Sequence, residues 1–354
     1  MEQKESQREV TKALWKLCFQ DNEAFTDLYF RMRYKDEINM AIYENNQMVS
    51  ALQMIPYPMT FCNEIISTSY ISGACTHPHY RNHGAMGQLL ADTFIRMYDN
   101  GILLSTLIPA EEWLFSYYGR YGYTPAFDYS IEKIDTTELM PSSQYEIAEY
   151  TPYQLDVHAY LMRKLMERPC CIQHTMDDFE VILEDLKLSG GKLLIARKQM
   201  EIVGMAFCIL EESAIHIPEL LYEDTEIRNS LLKEASRQMS TSFVEYIKPA
   251  KGESDQKLGM ARIINVEQML QLYAKEHNEI HLALEISDEI INENQGYYLL
   301  KYGVCERSFE PIKESIPLSI GELTRILLGY HTDLLPDPLR SFTLQKPYMS
   351  LMLN

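Results

Sequence analysis

Apolar residues recur at helical spacing over residues 7–19, where Val10, Ala13, Leu14, Leu17 and Cys18 share one side. Two apolar runs follow, residues 38–43 and 48–54, and the polar turn Glu44-Asn-Asn-Gln47 between them predicts a β-hairpin. Residues 65–76 read as a longer strand. A loop holding Arg81, His83, Gly84 and Gly87 comes next, then an amphipathic helix through Tyr98 and a buried strand at residues 103–108. Helix, hairpin, long strand, loop, helix and strand in that order predict a mixed α/β domain with a mainly antiparallel sheet.

The layout then starts again. Helical patterns at residues 154–166 and 176–188 end at Gly190-Gly191, and a hairpin over 193–207, a strand at 214–221 and a helix at 227–239 follow. In this second copy the segment before the last helix is Tyr222-Glu-Asp-Thr-Glu226, acidic and without glycine. Carboxylates there would repel an anion. The polar stretch at residues 248–257 holds Pro249 and Gly252 and reads as a linker. Beyond it a strand leads into a helix over residues 259–270, strands are expected at 280–286 and 296–302, and a helix at 320–328 stops at Gly329. The expected organisation is three domains, at residues 1–135, 145–250 and 258–354, as a chain of 354 residues allows.

Composition narrows the chemistry. A hydrophobic fraction of 46% supports packed cores rather than disorder. The net charge of −19, from 51 acidic against 32 basic residues, argues against nucleic acid and would steer cationic amines toward the surface. The seven cysteines form no Cys-x-x-Cys pair, so they suggest no zinc site and read as reduced thiols of a cytosolic protein. The polar start Met1-Glu-Gln-Lys-Glu-Ser has no apolar signal region, and no stretch reaches the length of a membrane span. A cytoplasmic location without a membrane partner is expected.

Glycine lets backbone approach a ligand closely, and successive amides at a helix N-terminus make a concavity of positive potential. A diphosphate fits such a place around Gly84, with Arg81 as a second source of positive charge. His77, His79 and His83 cross a strand end and a loop with no accompanying carboxylate, so no metal is expected. The order strand, Arg81-x-x-Gly84, helix resembles the acetyl-CoA pyrophosphate loop of the GNAT superfamily of N-acetyltransferases. That pattern closes with Gly or Ala where this chain has Met86. A second segment, Tyr118-Gly-Arg-Tyr-Gly-Tyr123, resembles the superfamily's Tyr-x-x-x-Gly-Phe.

The whole chain resembles the enhanced-intracellular-survival (Eis-like) acetyltransferases. Their loop follows Arg-x-x-Gly with two apolar residues, which accommodates Ala85 and Met86, and their tyrosine segment reads Tyr-Gly-Arg-Phe-Gly-Tyr. The Asp/Asn-rich turn at residues 287–295 and the run at 318–329 resemble a sterol-carrier-protein-like domain. The resemblance implies tandem GNAT folds with mixed, mainly antiparallel sheets, the second without cofactor binding, plus a C-terminal sterol-carrier-protein-like α+β domain. It implies acetyl-CoA as cosubstrate and no metal.

By the same resemblance, Ala74, Cys75 and Thr76 hold the pantetheine arm, while Arg81, Asn82, His83, Gly84, Ala85, Met86 and Gly87 cradle the diphosphate. Glu111 takes the place of a cofactor-contacting polar side chain. Tyr118 is the general acid toward sulfur, and the terminal carboxylate on Asn354 accepts the amine proton. The end of the chain, residues 346–354, is apolar to its last turn and is expected to be docked inside. The implied acceptor is a primary amine, aminoglycoside-like or lysine-like, and the implied assembly a ring-like homo-oligomer, often a hexamer. Two rival readings stand beside this one: a non-catalytic GNAT-fold protein that holds a lipid or partner through its C-terminal domain, and an acyltransferase that uses a longer acyl-CoA.

Overall fold

The structure, a computed structural model, describes residues 6–152, 154–250 and 255–353. The chain packs as two compact units. One joins Met1–Phe127 to Leu258–Pro347, and the other joins Asp128–Lys257 to Tyr348–Leu353.

The first unit begins with helix α1 (Gln7–Cys18), closed by a capping box between Ser6 and Glu9, and helix α2 (Glu23–Met32), capped by Asn22. The regular stripe of α1 made it visible in the sequence. Helix α2 buries Thr26, Tyr29 and Phe30 at helical spacing together with Leu28, but this short face includes a polar residue, and the sequence reading did not assign it. Strands β1 (Asn39–Glu44), β2 (Gln47–Phe61) and β3 (Glu64–Thr76), helix α3 (Ala85–Asp99), strand β4 (Leu104–Leu107) and helix α4 (Glu112–Gly119) follow. Strand β2 runs past Met54 through Pro56 and Pro58, where the sequence pattern stopped. It pairs with β1 only as far as Gln53 but with β3 from Ser50 to Phe61, so the prolines lie where β1 no longer asks β2 for N–H groups.

Helix α3 buries Leu89, Leu90, Phe94 and Met97 against Leu52, Met54 and Ile71 of the sheet. Strands β3 and β4 run parallel but pair only at Thr68↔Leu104, Ser69↔Ser105 and Tyr70↔Thr106. Past Tyr70, β3 continues alone on that side for residues 71–76.

Strand β5 (Thr124–Asp135) carries the chain onward. In the second unit lie β6 (Glu146–Glu149), α5 (Leu155–Met166), α6 (Met176–Leu188), β7 (Lys192–Lys198), β8 (Glu201–Glu211), β9 (Ala214–Tyr222), α7 (Thr225–Met239) and β10 (Phe243–Pro249). Its strands take the order β5-β10-β9-β8-β7-β6. Within it, β7-β8-β9-β10 repeats the antiparallel, antiparallel, parallel sequence of β1-β2-β3-β4. Strands β5 and β10 escaped the sequence reading because their apolar residues alternate with Glu132, Lys133, Glu245 and Lys248, charges that partner one another across the pair.

In this repeat the Asp224 carboxylate accepts the Ile227 N–H at 2.9 Å and caps α7, with Glu226 in the first turn. The place where an anion would bind is thus filled by the chain's own negative charge.

Residues Tyr348–Leu353 belong to the second unit, where Tyr348, Met349, Ser350 and Leu353 are buried. Tyr348 N–H donates to Cys170 O at 3.1 Å, and its carbonyl accepts from Ile172 at 3.1 Å. Ser350 Oγ donates to Glu219 at 2.6 Å, and both terminal nitrogens of Arg168 reach the same carboxylate at 3.0 and 2.9 Å. Asn354 itself lies outside the described residues.

The return to the first unit is strand β11 (Gln256–Ile263), antiparallel to β4. Helix α8 (Val266–Glu276), strands β12 (Leu282–Ser287), β13 (Gly296–Lys301), β14 (Val304–Ser308) and β15 (Ile316–Ser319), and helix α9 (Ile320–Leu327) complete it. The four strands form a small sheet ordered β14-β13-β12-β15. Among the described residues no helix is long and apolar enough to cross a membrane.

Candidate functional site

Helix α3 starts at Gly84, whose φ of +87° lies in the left-handed region, and Asn82 two residues earlier has a φ of +65°. No side chain caps this helix, and no acidic residue stands in its first turn. Each of the other eight α-helices among the described residues carries an Asp or Glu there. In a chain with a net charge of −19, one helix is left with unneutralised N-terminal amides. Asn82, His83, Gly84, Ala85, Met86 and Gly87 all belong to this entry turn. Arg81 is folded back on β3, its Nε donating to Thr76 O at 3.1 Å, so its positive charge sits at the open end of that strand.

The end of β3 is bulged. The register with β2 moves from Gln53↔Ser72 to Ala51↔Cys75, so Leu52 alone faces both Gly73 and Ala74. Gly73 has a φ of +59°, and a Cβ there would fall 2.1 Å from the Trp15 ring, so only glycine fits. A buried polar chain holds the bulge from beneath. Tyr29 Oη contacts Ser72 Oγ at 3.0 Å and Gln53 Oε1 at 3.2 Å, Gln53 Nε2 donates to Asn39 Oδ1 at 2.8 Å, and Asn39 Nδ2 donates to Thr11 Oγ1 at 3.3 Å. Burial pushes the Tyr29 phenol above its usual range. Sequence reasoning missed this set, since five polar residues far apart in the chain carry no shared pattern until folding joins them.

Tyr118 lies in the last turn of α4 and is 8% exposed. Burial pushes its phenol up to about 12. Its ring packs edge-on to Tyr117 and Tyr123 at 5.3 and 5.9 Å, while the Tyr123 hydroxyl is engaged by Ser105 at 2.6 Å. Glu111 takes the N-cap position of α4, and its exposed carboxylate accepts from Trp113 Nε1 at 2.7 Å. Trp113 is 60% exposed, a surface residue of the same turn. His77 Nδ1 accepts the His79 N–H at 3.3 Å. Among the described residues no group of three or more His, Cys, Asp or Glu is placed to hold a metal.

Two thiols meet at the end of β3. Cys18 Sγ donates to Thr76 O at 3.4 Å beside the buried Cys75. The Cys75 thiol donating to its thiolate, and then the Arg81 guanidinium, pull Cys18 down to about 7, while Cys75 is pushed up. Iodoacetamide is therefore expected to label Cys18 at neutral pH ahead of Cys171 and Cys208, which burial pushes up to about 12. Peptide mass mapping over a pH series checks this, and equal labelling of Cys171 would contradict it.

Residues 2–126, which contain this entire arrangement, match the family of the Acetyltransferase (GNAT) domain. The chain carries a GNAT domain. Residues 266–333, the α8-to-α9 part of the same unit, match the Sterol carrier protein domain. A search of curated proteins returned no match. Solved structures share the fold over nearly the full length. A GCN5-related N-acetyltransferase from Anabaena variabilis superposes with a TM-score of 0.80 at 17% identity, covering 97% of each chain. Another from Kribbella flavida gives 0.78 at 14% identity, covering 99% of this chain and 97% of that one. Eis1 from Mycobacterium abscessus gives 0.75 at 11% identity, covering 98% of this chain and 97% of that one. The chain thus shares the mixed α/β fold of these structures, with a GNAT domain at residues 2–126 and a C-terminal sterol-carrier-protein-like domain. In the GNAT domain the β3 bulge and the glycine loop come from one stretch, residues 72–87, and Tyr118 from a second.

Proposed function

We propose that this protein is an acetyl-CoA-dependent N-acetyltransferase whose acceptor is a primary amine, aminoglycoside-like or lysine-like, attacking directly. The α3 N-terminus carries the reading. It is the one α-helix start among the described residues with neither a capping side chain nor a carboxylate in its first turn, inside a GNAT domain.

When bound, acetyl-CoA supplies the activated acyl group. The amides of the Asn82–Gly87 turn, with Arg81 nearby, bind the diphosphate. The bulge interrupts the β2–β3 ladder at Gly73 and Ala74, and backbone amides along Ala74, Cys75 and Thr76 orient the pantetheine arm and polarise the carbonyl. Tyr118, held protonated by burial, donates its phenolic proton to sulfur. The terminal carboxylate of Asn354 accepts the proton lost by the amine, and Glu111 contributes a polar contact at the rim. An acidic surface draws cationic amines to the site.

The reading keeps three functional sections: a catalytic one at residues 1–135, a second GNAT-like one at 145–250 whose cofactor place is closed by Asp224, and a sterol-carrier-protein-like one at 258–354. It also keeps a cytoplasmic, ring-like homo-oligomer. Calorimetric titration with acetyl-CoA should show saturable binding, and thiol release over an amine panel should then identify the acceptor. Absence of saturable binding would sink the proposal.

A further inference from the structure

Gly87 reads in the sequence as a residue that lets backbone approach a ligand. The structure gives it a different reason. A Cβ at Gly87 would fall 2.4 Å from Tyr121 Oη and 3.1 Å from its Cζ. The phenol of Tyr121 therefore occupies the space a side chain would take on the first turn of α3. Its surroundings hold it there. The Tyr121 carbonyl accepts from the buried Arg262 at 2.8 Å, its N–H donates to Tyr118 O at 2.9 Å, and its ring lies 5.4 Å from that of Tyr117. A phenol carries one O–H donor, and here it faces the first turn of α3. Where this chain has Tyr121, the tyrosine segment it resembles has phenylalanine, so the hydroxyl is an addition to that pattern.

We propose that Tyr121 Oη is a further binding group of the cofactor site, donating to the diphosphate held at the α3 N-terminus, and that Gly87 is glycine to admit it. This rests on the acetyl-CoA reading above. A phenol donating to a phosphate oxygen adds a charge-assisted bond that backbone amides do not supply.

The test uses the full-length protein and three probes: coenzyme A, dephospho-coenzyme A, which keeps the diphosphate, and pantetheine, which lacks it. Tyr121→Phe is expected to weaken the first two about tenfold each and to leave pantetheine, measured by competition, unchanged. Gly87→Ala should weaken coenzyme A in the wild-type background and cost less in the Tyr121→Phe background, where the clashing oxygen is gone. Thermal melts of Tyr121→Phe should match wild type, separating binding from folding. Unchanged affinity of Tyr121→Phe for coenzyme A, or an equal loss for pantetheine, overturns the assignment while leaving the acetyltransferase reading intact. If the wild-type protein shows no saturable binding of coenzyme A, both fall.

Discussion

Changing Tyr118 to Phe is expected to lower kcat by roughly 10²- to 10⁴-fold, the range a positioned general acid contributes, with the KM for acetyl-CoA little altered. The ring stays, so its packing against Tyr117 and Tyr123 stays, and the melting temperature should hold. The pH profile adds a second check. Tyrosine ordinarily ionises near 10.0, but burial holds this phenol to about 12. On the proposed mechanism, the proton that Tyr118 donates is therefore fully present at neutral pH and is lost only as pH rises through the folded value. Stability contributed by its burial follows the same direction, complete below 10.0 and lost toward about 12. Turnover should show no loss attributable to this group up to pH 10.0, where an ordinary tyrosine would be half ionised. A Tyr118→Phe enzyme with wild-type kcat would remove Tyr118 from the mechanism.

The second large effect concerns stability. Arg262 is wholly buried, and its Nη2 reaches Asp288 Oδ1 at 2.6 Å. Its Nε holds the Tyr121 carbonyl, its Nη1 donates to Ile263 O at 2.8 Å, and its guanidinium lies 4.5 Å over the Phe94 ring. Burial pushes the guanidinium below its usual range, and Asp288 pulls it back. Asp288 in turn accepts from the Ile290 and Ile291 N–H groups at 3.0 and 3.1 Å and from Asn294 at 2.8 Å. One residue of β11 thus ties the Tyr118–Tyr123 turn to the sterol-carrier-protein-like part of its unit.

Removing only the cation leaves a buried carboxylate without its partner. Arg262→Met is expected to cost about 3–5 kcal/mol, lowering the melting temperature by roughly 10 °C. Adding Asp288→Asn should restore part of that loss, because the stranded charge is neutralised. Calorimetric melts of the single and double variants check both statements, and a shift below about 2 °C for Arg262→Met would contradict the role given to the pair. Gly122 belongs to the same junction: a Cβ there would fall 3.0 Å from Arg262 Nε and 2.6 Å from Ile320.

Much of the fold was legible because local rules act over short stretches. Helices α1, α5 and α6 and the hairpins β1–β2 and β7–β8 each show their period or turn within about fifteen residues. Strands β5 and β10 were not legible, since their charged residues are neutralised only by each other across the sheet. The extension of β2 through Pro56 and Pro58 was hidden for a related reason: whether proline is tolerated depends on which side of the strand lacks a neighbour, and that is a property of the sheet.

The candidate site divides along the same line. Sequence by itself determined the glycine entry to α3, Arg81, the Tyr118 segment and the acidic replacement at residues 222–226, because each is a contiguous motif whose chemistry is carried by residue type and spacing. Only the tertiary structure decided the rest: that Gly73 is a bulge roofed by Trp15, that Tyr29, Gln53, Asn39 and Thr11 support it, that Gly87 makes room for Tyr121, and that Arg262 anchors the tyrosine turn. Each of these is a contact between residues distant in the chain. A hydrogen bond or a steric gap of that kind exists only once both partners are in place, so one-dimensional order does not specify it.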